Sequence, residues 1–490
     1  MDPPQQSPTA NPELVINLVQ KSMEEALREA KIEVALLGTH IWPIETLLEN
    51  RLSAIRSVRE DASLLLSLCK DRDISKYSLK LSLIIASGRD SGTRLAAVIE
   101  LRGELTGDNW ESLYMLNNET ELCLREVLLS CVKTELSIPV ATQVCSLIAR
   151  LAFSTRLNGW VNCWPQRVTD FVCGYMLDAD TSAILRKRVL KIFSEWCRSA
   201  PVVLLSICTE NKDKFHAAII RYLVEWNPTV SMAALDATLG SLPHLRKGGQ
   251  EDVFSQMLSG VRTLLSRAMD DEREDCIQES MDLLIDLARD QPDLLANDEL
   301  WAGMMQIAAA ENMESETIDK GIELLLLLAE SGNSSPGTPE SELMSLFFRY
   351  LLVIEDEAEG DESELFVIGR EGIARLAAAF GEGKMLFMTQ FYHIKYGSGA
   401  DWRGRHAVVV AVDAILEGCS RESNMSYEGL QRLMKIALRS TKDQHWRVHL
   451  AALKLILHLF PANLQLYWDF KAVVQNHVDA EHLQDIQRLR

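Results

Sequence analysis

Nine segments along the chain share one pattern, a charged or polar start followed by apolar residues at the spacing of an α-helix. Their first residues are about 36 to 50 positions apart, close to the period of two-helix HEAT and armadillo repeats. Such a recurrence predicts an array of similar units rather than a set of unrelated domains. The segments begin at Thr93, Ala141, Leu185, Ala233, Ile277, Asp319, Gly369, Arg405 and Arg447.

Helical stretches of more variable sequence lie between these segments, for example at 251–269, 340–354 and 427–438. Each has apolar residues at positions i, i+3, i+4 and i+7, so each predicts an amphipathic helix with one face to bury. A single pair of helices cannot enclose a core, so neighbouring pairs have to stack. The pattern therefore predicts an all-α protein, a HEAT/armadillo-like α-solenoid superhelix.

Capping signals set the predicted start of this array. In the sequence Asn11-Pro12-Glu13, the asparagine fits an N-cap and the proline fits the first helical position. The glutamate is an acid in the first turn, where the helix dipole favours negative charge. The first helix is therefore predicted to begin near residue 12, and residues 1–11 are predicted to be disordered. The solenoid is predicted to cover residues 12–490, with clear repeats from about residue 93 and an incomplete last repeat.

Charge narrows the class of ligand. The chain has 490 residues, 50 Lys and Arg, 70 Asp and Glu, and a formal net charge of −20. Nucleic acids and anionic membranes require a basic footprint, so this balance argues against both as partners and favours a basic ligand. Ten cysteines without a CxxC pair, no signal-peptide pattern and no apolar run of membrane-spanning length indicate an intracellular protein with reduced thiols.

Enzyme motifs are absent from the sequence. There is no Walker A sequence, no GxSxG elbow and no HExxH motif. The glycines at 397–404 follow no strand pattern, so they predict a connector between repeats. His445 and His449 are one helical turn apart but lack a third ligand, which favours a solvated helix face over a metal site. We therefore expect no catalytic residues, no cofactor and no metal.

One acid-rich stretch, 355–364, is the candidate partner-binding element. It contains seven carboxylates and no basic residue, and concentrated like charge repels itself unless a cation or a basic partner offsets it. It also separates two predicted helices of one repeat. The alternative is a solvated connector without a ligand. The candidate residues are Glu355, Asp356, Glu357, Glu359, Asp361, Glu362 and Glu364.

The sequence at 401–420, DWRGRHAVVVAVDAILEGCS, carries the strongest resemblance to a known family. It resembles the Trp-x-x-Arg-His-Ala core and the Glu-Gly-Cys helix end of the importin-β (karyopherin-β) superfamily, closest to the importin β-3 type. Similar stretches are the acid-rich loop with the helix after it, and TRLAAVIELRGEL from Thr93. Weaker ones are Trp164-Pro165 and LRKRVLKIFSEW from Leu185. The resemblance covers about residues 60 to 490, the N-terminal half of such a receptor.

The resemblance implies a nuclear transport receptor of the cytoplasm and nucleus. Basic cargo and RanGTP would bind the inner surface, with Ran at about residues 60–200, and Phe-Gly repeats of nuclear-pore proteins would bind between outer helices. The chain departs from the family in its first sixty residues and is about half as long, so we expect a fragment, a partial gene product or a degenerate paralogue. The alternatives are a HEAT-repeat scaffold without Ran dependence and, least favoured, a catalytic or regulatory domain.

Overall fold

The computed structural model describes most of the chain between residues 12 and 462. The described ranges are 12–38, 40–106, 112, 115–157, 164–178, 180–199, 212–225, 227–310, 312–331, 339–354, 363–422 and 426–462. These ranges contain α-helices and short turns and no β-strand. The segment predicted to be disordered, 1–11, and the end of the predicted incomplete last repeat, 463–490, lie outside the described residues.

Unit 1, residues 1–249, is the first of two compact units. Its first helix begins at Pro12, where the capping pattern places it. In the described part of this unit the helices are α1 Pro12–Leu36, α2 Trp42–Arg51, α3 Arg56–Arg72, α4 Ile74–Ser87, α5 Ser91–Leu105, α6 Asn118–Thr134, α7 Ile138–Leu157, α8 Trp164–Leu177, α9 Ala183–Ser199, α10 Lys212–Val224 and α11 Pro228–Lys247.

Unit 2, residues 250–490, has the same construction. A short 3₁₀ helix, Pro292–Leu295, joins its second and third α-helices. Its described helices are α12 Glu251–Asp270, α13 Glu274–Asp290, α14 Asp298–Ala308, α15 Ser315–Glu330, α16 Pro339–Leu351, α17 Glu364–Phe380, α18 Glu382–Tyr396, α19 Trp402–Glu422, α20 Tyr427–Ser440 and α21 Trp446–Ala462.

Consecutive helices pack as antiparallel pairs from α4–α5 onward. Within each unit the second helix of a pair packs against the second helix of the next pair, so α5, α7, α9 and α11 form one layer, and α13, α15, α17, α19 and α21 another. All nine segments recognised in the sequence lie in these second helices, and the three variable stretches correspond to first helices. The prediction of an all-α HEAT-type array is confirmed.

Side-chain caps fix where several helices begin. Asp90 accepts a hydrogen bond from the Thr93 amide at 2.9 Å before α5, and Asn297 accepts one from the Leu300 amide at 3.0 Å before α14. Each cap satisfies an amide that the helix cannot pair internally. Gly381 separates α17 from α18 with a φ of +78°, which a residue with a side chain rarely adopts.

Apolar side chains from three helices form the core at the last described repeat. Val412 of α19, Leu433 of α20 and Leu455 of α21 are each at most 1% exposed and belong to one continuous cluster. The backbones of α17 and α19 approach each other closely at Gly418. A Cβ atom added to this glycine would lie 2.0 Å from the carbonyl oxygen of Ala374. A glycine is therefore required for this helix contact.

Candidate protein-binding site

Of the seven acidic candidates, one lies within the described residues. Glu364 is the first residue of α17 and is exposed, and its acidic character near a helix N-terminus is favourable. The other six, Glu355, Asp356, Glu357, Glu359, Asp361 and Glu362, lie outside the described residues. The stretch does join the two helices of one pair, α16 and α17, as the sequence predicts.

Polar contacts hold the two ends of the acid-rich stretch together. The Ser363 hydroxyl donates a hydrogen bond to the Val353 carbonyl oxygen at 2.8 Å and caps α17 by accepting one from the Phe366 amide at 3.3 Å. Arg403 Nε donates to the Ile354 carbonyl oxygen at 3.3 Å. Glu355, the first residue of the stretch, therefore directly follows Ile354, which contacts Arg403 of α19.

A second group of carboxylates, which the sequence reasoning missed, lines a cleft of about 480 Å³ between α13 and α15. Asp282 and Asp286 lie one turn apart on α13, and Asp319 and Glu323 lie one turn apart on α15. The basic residues at the cleft are Lys320 and Arg289. We call this set of residues the acidic cleft.

The two basic residues of the acidic cleft are already paired with acids. Lys320 Nζ lies 3.0 Å from Asp282 Oδ2 and 3.2 Å from Glu316 Oε1, while Arg289 lies 3.9 Å from Asp286. Glu323 is paired with Arg375 of α17. The remaining carboxylate, Asp319, has a buried Oδ1 atom to which none of the described residues donates a hydrogen bond.

The environment of Asp319 disfavours its charge. Burial raises the pKa of the Asp319 carboxyl, and the neighbouring carboxylate of Glu364 raises it further. This electrostatic interaction connects the acidic cleft with the one described member of the acid-rich stretch. A carboxylate that is partly desolvated and lies near another carboxylate is stabilised when a cation approaches it.

The sequence held a signal for the acidic cleft. α13 and α15 each carry acids four residues apart, outside the apolar stripe. No other two neighbouring second helices described in unit 2 both carry such a pair. The acid run at 355–364 can be recognised from the sequence because its charge is contiguous. The acidic cleft needs two helices to bring its carboxylates together, so local charge density did not reveal it.

The Trp402–Cys419 motif has clear structural roles. Arg405 makes a bidentate ion pair with Asp443 of the next repeat, with Nε–Oδ2 and Nη2–Oδ1 distances of 2.6 and 2.9 Å. The Trp402 ring stacks on the His445 ring with centroids 3.8 Å apart. At the far end Cys419 is buried and its thiol faces the Ala377 carbonyl oxygen at 3.7 Å. The motif therefore joins adjacent repeats.

The two histidines weighed as metal ligands make other contacts. His445 stacks on Trp402, and His449 Nδ1 lies 2.6 Å from the Thr441 carbonyl oxygen. In the part of the chain that the structure describes, no three His, Cys, Asp or Glu residues are grouped as metal ligands. Within those same ranges, every helix is too short or too polar to cross a bilayer. Trp402 is the first residue of α19, so the connector predicted over 397–404 ends at Asp401.

Comparison with known proteins places the fold. No protein-family model and no curated protein matches the chain. Solved structures do match, among them Kap121p bound to RanGTP, with a TM-score of 0.67 and 15% identity over 85% of this chain. Kap121p bound to Pho4p and Kap121p bound to Nup53p match with TM-scores of 0.68 and identities of 15% and 16%, each over 84% of this chain.

These similarities establish the fold class. The described residues fold as a HEAT-repeat solenoid of the kind found in karyopherin structures. The chain spans about 40% of the length of each of the three Kap121p chains named above.

Proposed function

We propose that this chain is part of a nuclear transport receptor of the importin-β superfamily, of the importin β-3 type, and acts as a binding protein rather than an enzyme. The observation that carries the proposal is the coincidence of a karyopherin-like solenoid with an acidic cleft on its second helices. The Trp402–Cys419 resemblance supports the same family. On this proposal the protein works in the cytoplasm and the nucleus.

The acidic cleft would bind a basic segment of an import cargo. Asp286 is exposed, so it can accept the ammonium or guanidinium group of a ligand. Asp319, whose Oδ1 atom is buried, would add negative charge close to that group. The acid-rich stretch, Glu355 to Glu364, would extend this negative surface, because Glu364 already acts on Asp319. Binding here requires no covalent step.

Release of the cargo would depend on RanGTP. One of the matched structures is Kap121p bound to RanGTP, and others hold Pho4p or Nup53p. By analogy, RanGTP would contact the repeats between about residues 60 and 200, and Phe-Gly repeats of nuclear-pore proteins would contact first helices. Two ligands that each favour a different solenoid pitch exclude one another without sharing contacts.

The test is a pull-down of Ran by the purified chain, with Ran loaded with GTP or with GDP. A transport receptor retains the GTP form selectively and releases a bound Lys/Arg-rich peptide when RanGTP is added. A HEAT-repeat scaffold, the alternative function, retains neither form. Equal retention of both nucleotide forms would contradict the proposal. The acidic-cleft variant D286N/D319N serves as the internal comparison, because it should bind the peptide about tenfold more weakly and keep Ran.

A further inference from the structure

Helix α18 has two apolar faces, and the structure buries one of them. Met385, Thr389 and Tyr392 are between 0% and 9% exposed, and the Tyr392 and Tyr396 rings stack on Phe348 of α16 with centroids 4.3 and 5.1 Å apart. These contacts attach α18 to its own repeat. A helix that is apolar on both sides normally has a neighbour on both sides.

The second face of α18 is exposed. Phe387, Phe391 and Ile394 are 78%, 61% and 71% exposed, and they recur at i, i+4 and i+7. Among the described first helices of unit 2, α18 alone has large apolar side chains exposed in this way. Three large exposed apolar side chains on one helix face form a contiguous apolar patch, and such patches often mark interaction sites on soluble proteins.

A groove of about 620 Å³ runs beside this patch. One wall is α18, with Phe387, Met388 and Phe391, and the other wall is α16, where Ser341 and Ser345 lie one turn apart. Small residues one turn apart leave a channel into which the side-chain ridge of another helix can pack. The groove therefore fits a helix, because the side-chain ridges of a helix are also spaced by one turn.

The rim of the groove is basic, in contrast to the whole chain. At about 100° per residue, Lys384 and Lys395 fall on the same arc of α18 as the three exposed apolar side chains. Both lysines are exposed, and their ammonium groups lie over the rings of Phe380 and Tyr396 at 4.7 and 4.9 Å. Exposed Arg349 of α16 adds a third cation, and exposed Glu342 is the one acid among the described side chains on these faces.

We propose that the α16–α18 groove binds an amphipathic α-helix of a partner protein, with large apolar residues on one face and acidic residues beside them. The exposed apolar row supplies the contact area, and the basic rim selects the acidic flanks. The proposal does not depend on transport function. It differs from recognition of uncharged Phe-Gly repeats, which the basic rim would not favour over other apolar peptides.

The experiment measures fluorescence anisotropy of three labelled peptides of equal length against the full chain. The first is a helical peptide with Leu and Phe at i, i+4 and i+7 and with Glu flanks, the second has Lys in place of Glu, and the third is an uncharged Phe-Gly repeat. We expect the acidic helix to bind at least tenfold more tightly than either of the others. Equal or tighter binding of the Lys or Phe-Gly peptide, or binding of none, would overturn the proposal.

Variants locate the binding on α18. F387S/F391S and K384E/K395E should each weaken the acidic peptide at least tenfold, while K384R/K395R should preserve binding. L136S replaces an apolar residue that is 93% exposed in unit 1 and is the matched control, expected to bind as the parent does. Equal circular dichroism spectra show that folding is intact. Sedimentation that reveals self-association lost in F387S/F391S would assign the groove to a second copy of the chain and contradict the proposal.

Discussion

The second helices of the two units share an apolar pattern and differ in charge. In unit 1, α5, α7, α9 and α11 together have eleven Lys and Arg and four Asp and Glu, a net charge of +7. In unit 2, α13, α15, α17, α19 and α21 together have fifteen Asp and Glu and nine Lys and Arg, a net charge of −6, and α13 and α15 alone carry −8. The apolar stripe sets the fold, whereas the polar positions are available to determine the ligand.

The charges of the two layers are also used differently. In unit 1, several cations bind groups of the protein itself, since Arg188 donates to the carbonyl oxygens of Val132 and Glu135, and Lys191 and Arg198 both pair with Asp236. In unit 2, Asp319 has no described donor at Oδ1. The cations of the basic layer therefore stabilise their own repeats. In the acidic cleft, Asp282, Asp286 and Glu323 also have partners within the protein, and the Asp319 Oδ1 atom is the one without a described donor.

The largest expected effect tests the packing that both layers depend on. Gly418→Ala would place a Cβ atom 2.0 Å from the Ala374 carbonyl oxygen, so α17 and α19 would have to separate. We expect unit 2 to lose about 3 kcal/mol of stability, measured by urea unfolding, because overpacking against backbone cannot relax through a rotamer change.

Gly103→Ala in α5 is the matched control, because a Cβ atom there meets nothing within 4 Å. This substitution should be neutral or stabilise unit 1 by about 0.5 kcal/mol, since alanine favours a helix over glycine. A G418A chain as stable as the parent would show that the two helices do not need this close approach.

The next effect concerns the Asp236 carboxylate in unit 1. Ser194 donates to its Oδ2 at 2.8 Å, and Arg198 and Lys191 pair with it. Asp236→Asn should cost about 1 to 2 kcal/mol, because the mostly buried side chain loses its ion pairs with Arg198 and Lys191, although Lys191 keeps Glu195 as a partner. The exposed Asp252→Asn in the first turn of α12 should cost at most about 0.5 kcal/mol on the same urea unfolding curve, because it loses only a favourable interaction with the helix dipole.

The stability cost of Asp236→Asn should become smaller at low pH. Burial opposes ionisation of Asp236, but Arg198 and Lys191 more than offset it, so the pKa of this carboxyl is lowered in the folded chain. Its stabilisation is complete above the unfolded pKa of about 4 and is lost as the pH falls through the folded pKa. The stability difference between parent and D236N should therefore shrink below about pH 4. A constant difference down to pH 2 would contradict this account.

The sequence alone predicts the helices far better than the site. The nine second helices were recognised because an apolar row at helical spacing is a local property, and Asn11-Pro12 marked the start of α1 for the same reason. The acidic cleft depends on which turns of α13 and α15 face one another, and no local pattern specifies that. Gly418 was noticed as part of a resemblance, but only its contact with Ala374 explains why a glycine is needed.

A smaller effect tests whether the acidic cleft binds cations. Asp286→Asn with Asp319→Asn should weaken a Lys/Arg-rich peptide about tenfold, about 1.4 kcal/mol, measured by titration calorimetry. Stability at pH 7 should remain equal or rise by a few tenths of a kcal/mol, because burial raises the pKa of Asp319 and its charge is a cost in the folded state.

Neutralising two acids away from the cleft controls for net charge. Glu251→Gln with Asp252→Asn removes the same charge from the exposed start of α12. The peptide affinity of this variant should stay within about twofold of the parent, since neither residue lines the acidic cleft and single exposed charges contribute little. Equal weakening by both pairs would mean that overall charge, and not the acidic cleft, attracts the peptide.

The smallest effect is expected from the acid-rich stretch. Single exposed charges contribute only about 0.2–1 kcal/mol, so Glu364→Gln alone should hardly change peptide affinity. Replacing all seven acids between Glu355 and Glu364 with Asn or Gln should slow association several-fold and flatten its dependence on salt, because long-range attraction acts mainly on the encounter rate. The measurement is the association rate of the Lys/Arg-rich peptide, and of RanGTP, from 50 to about 500 mM salt. Superimposable curves for parent and variant would make the stretch a solvated connector and leave the acidic cleft as the cation-binding element.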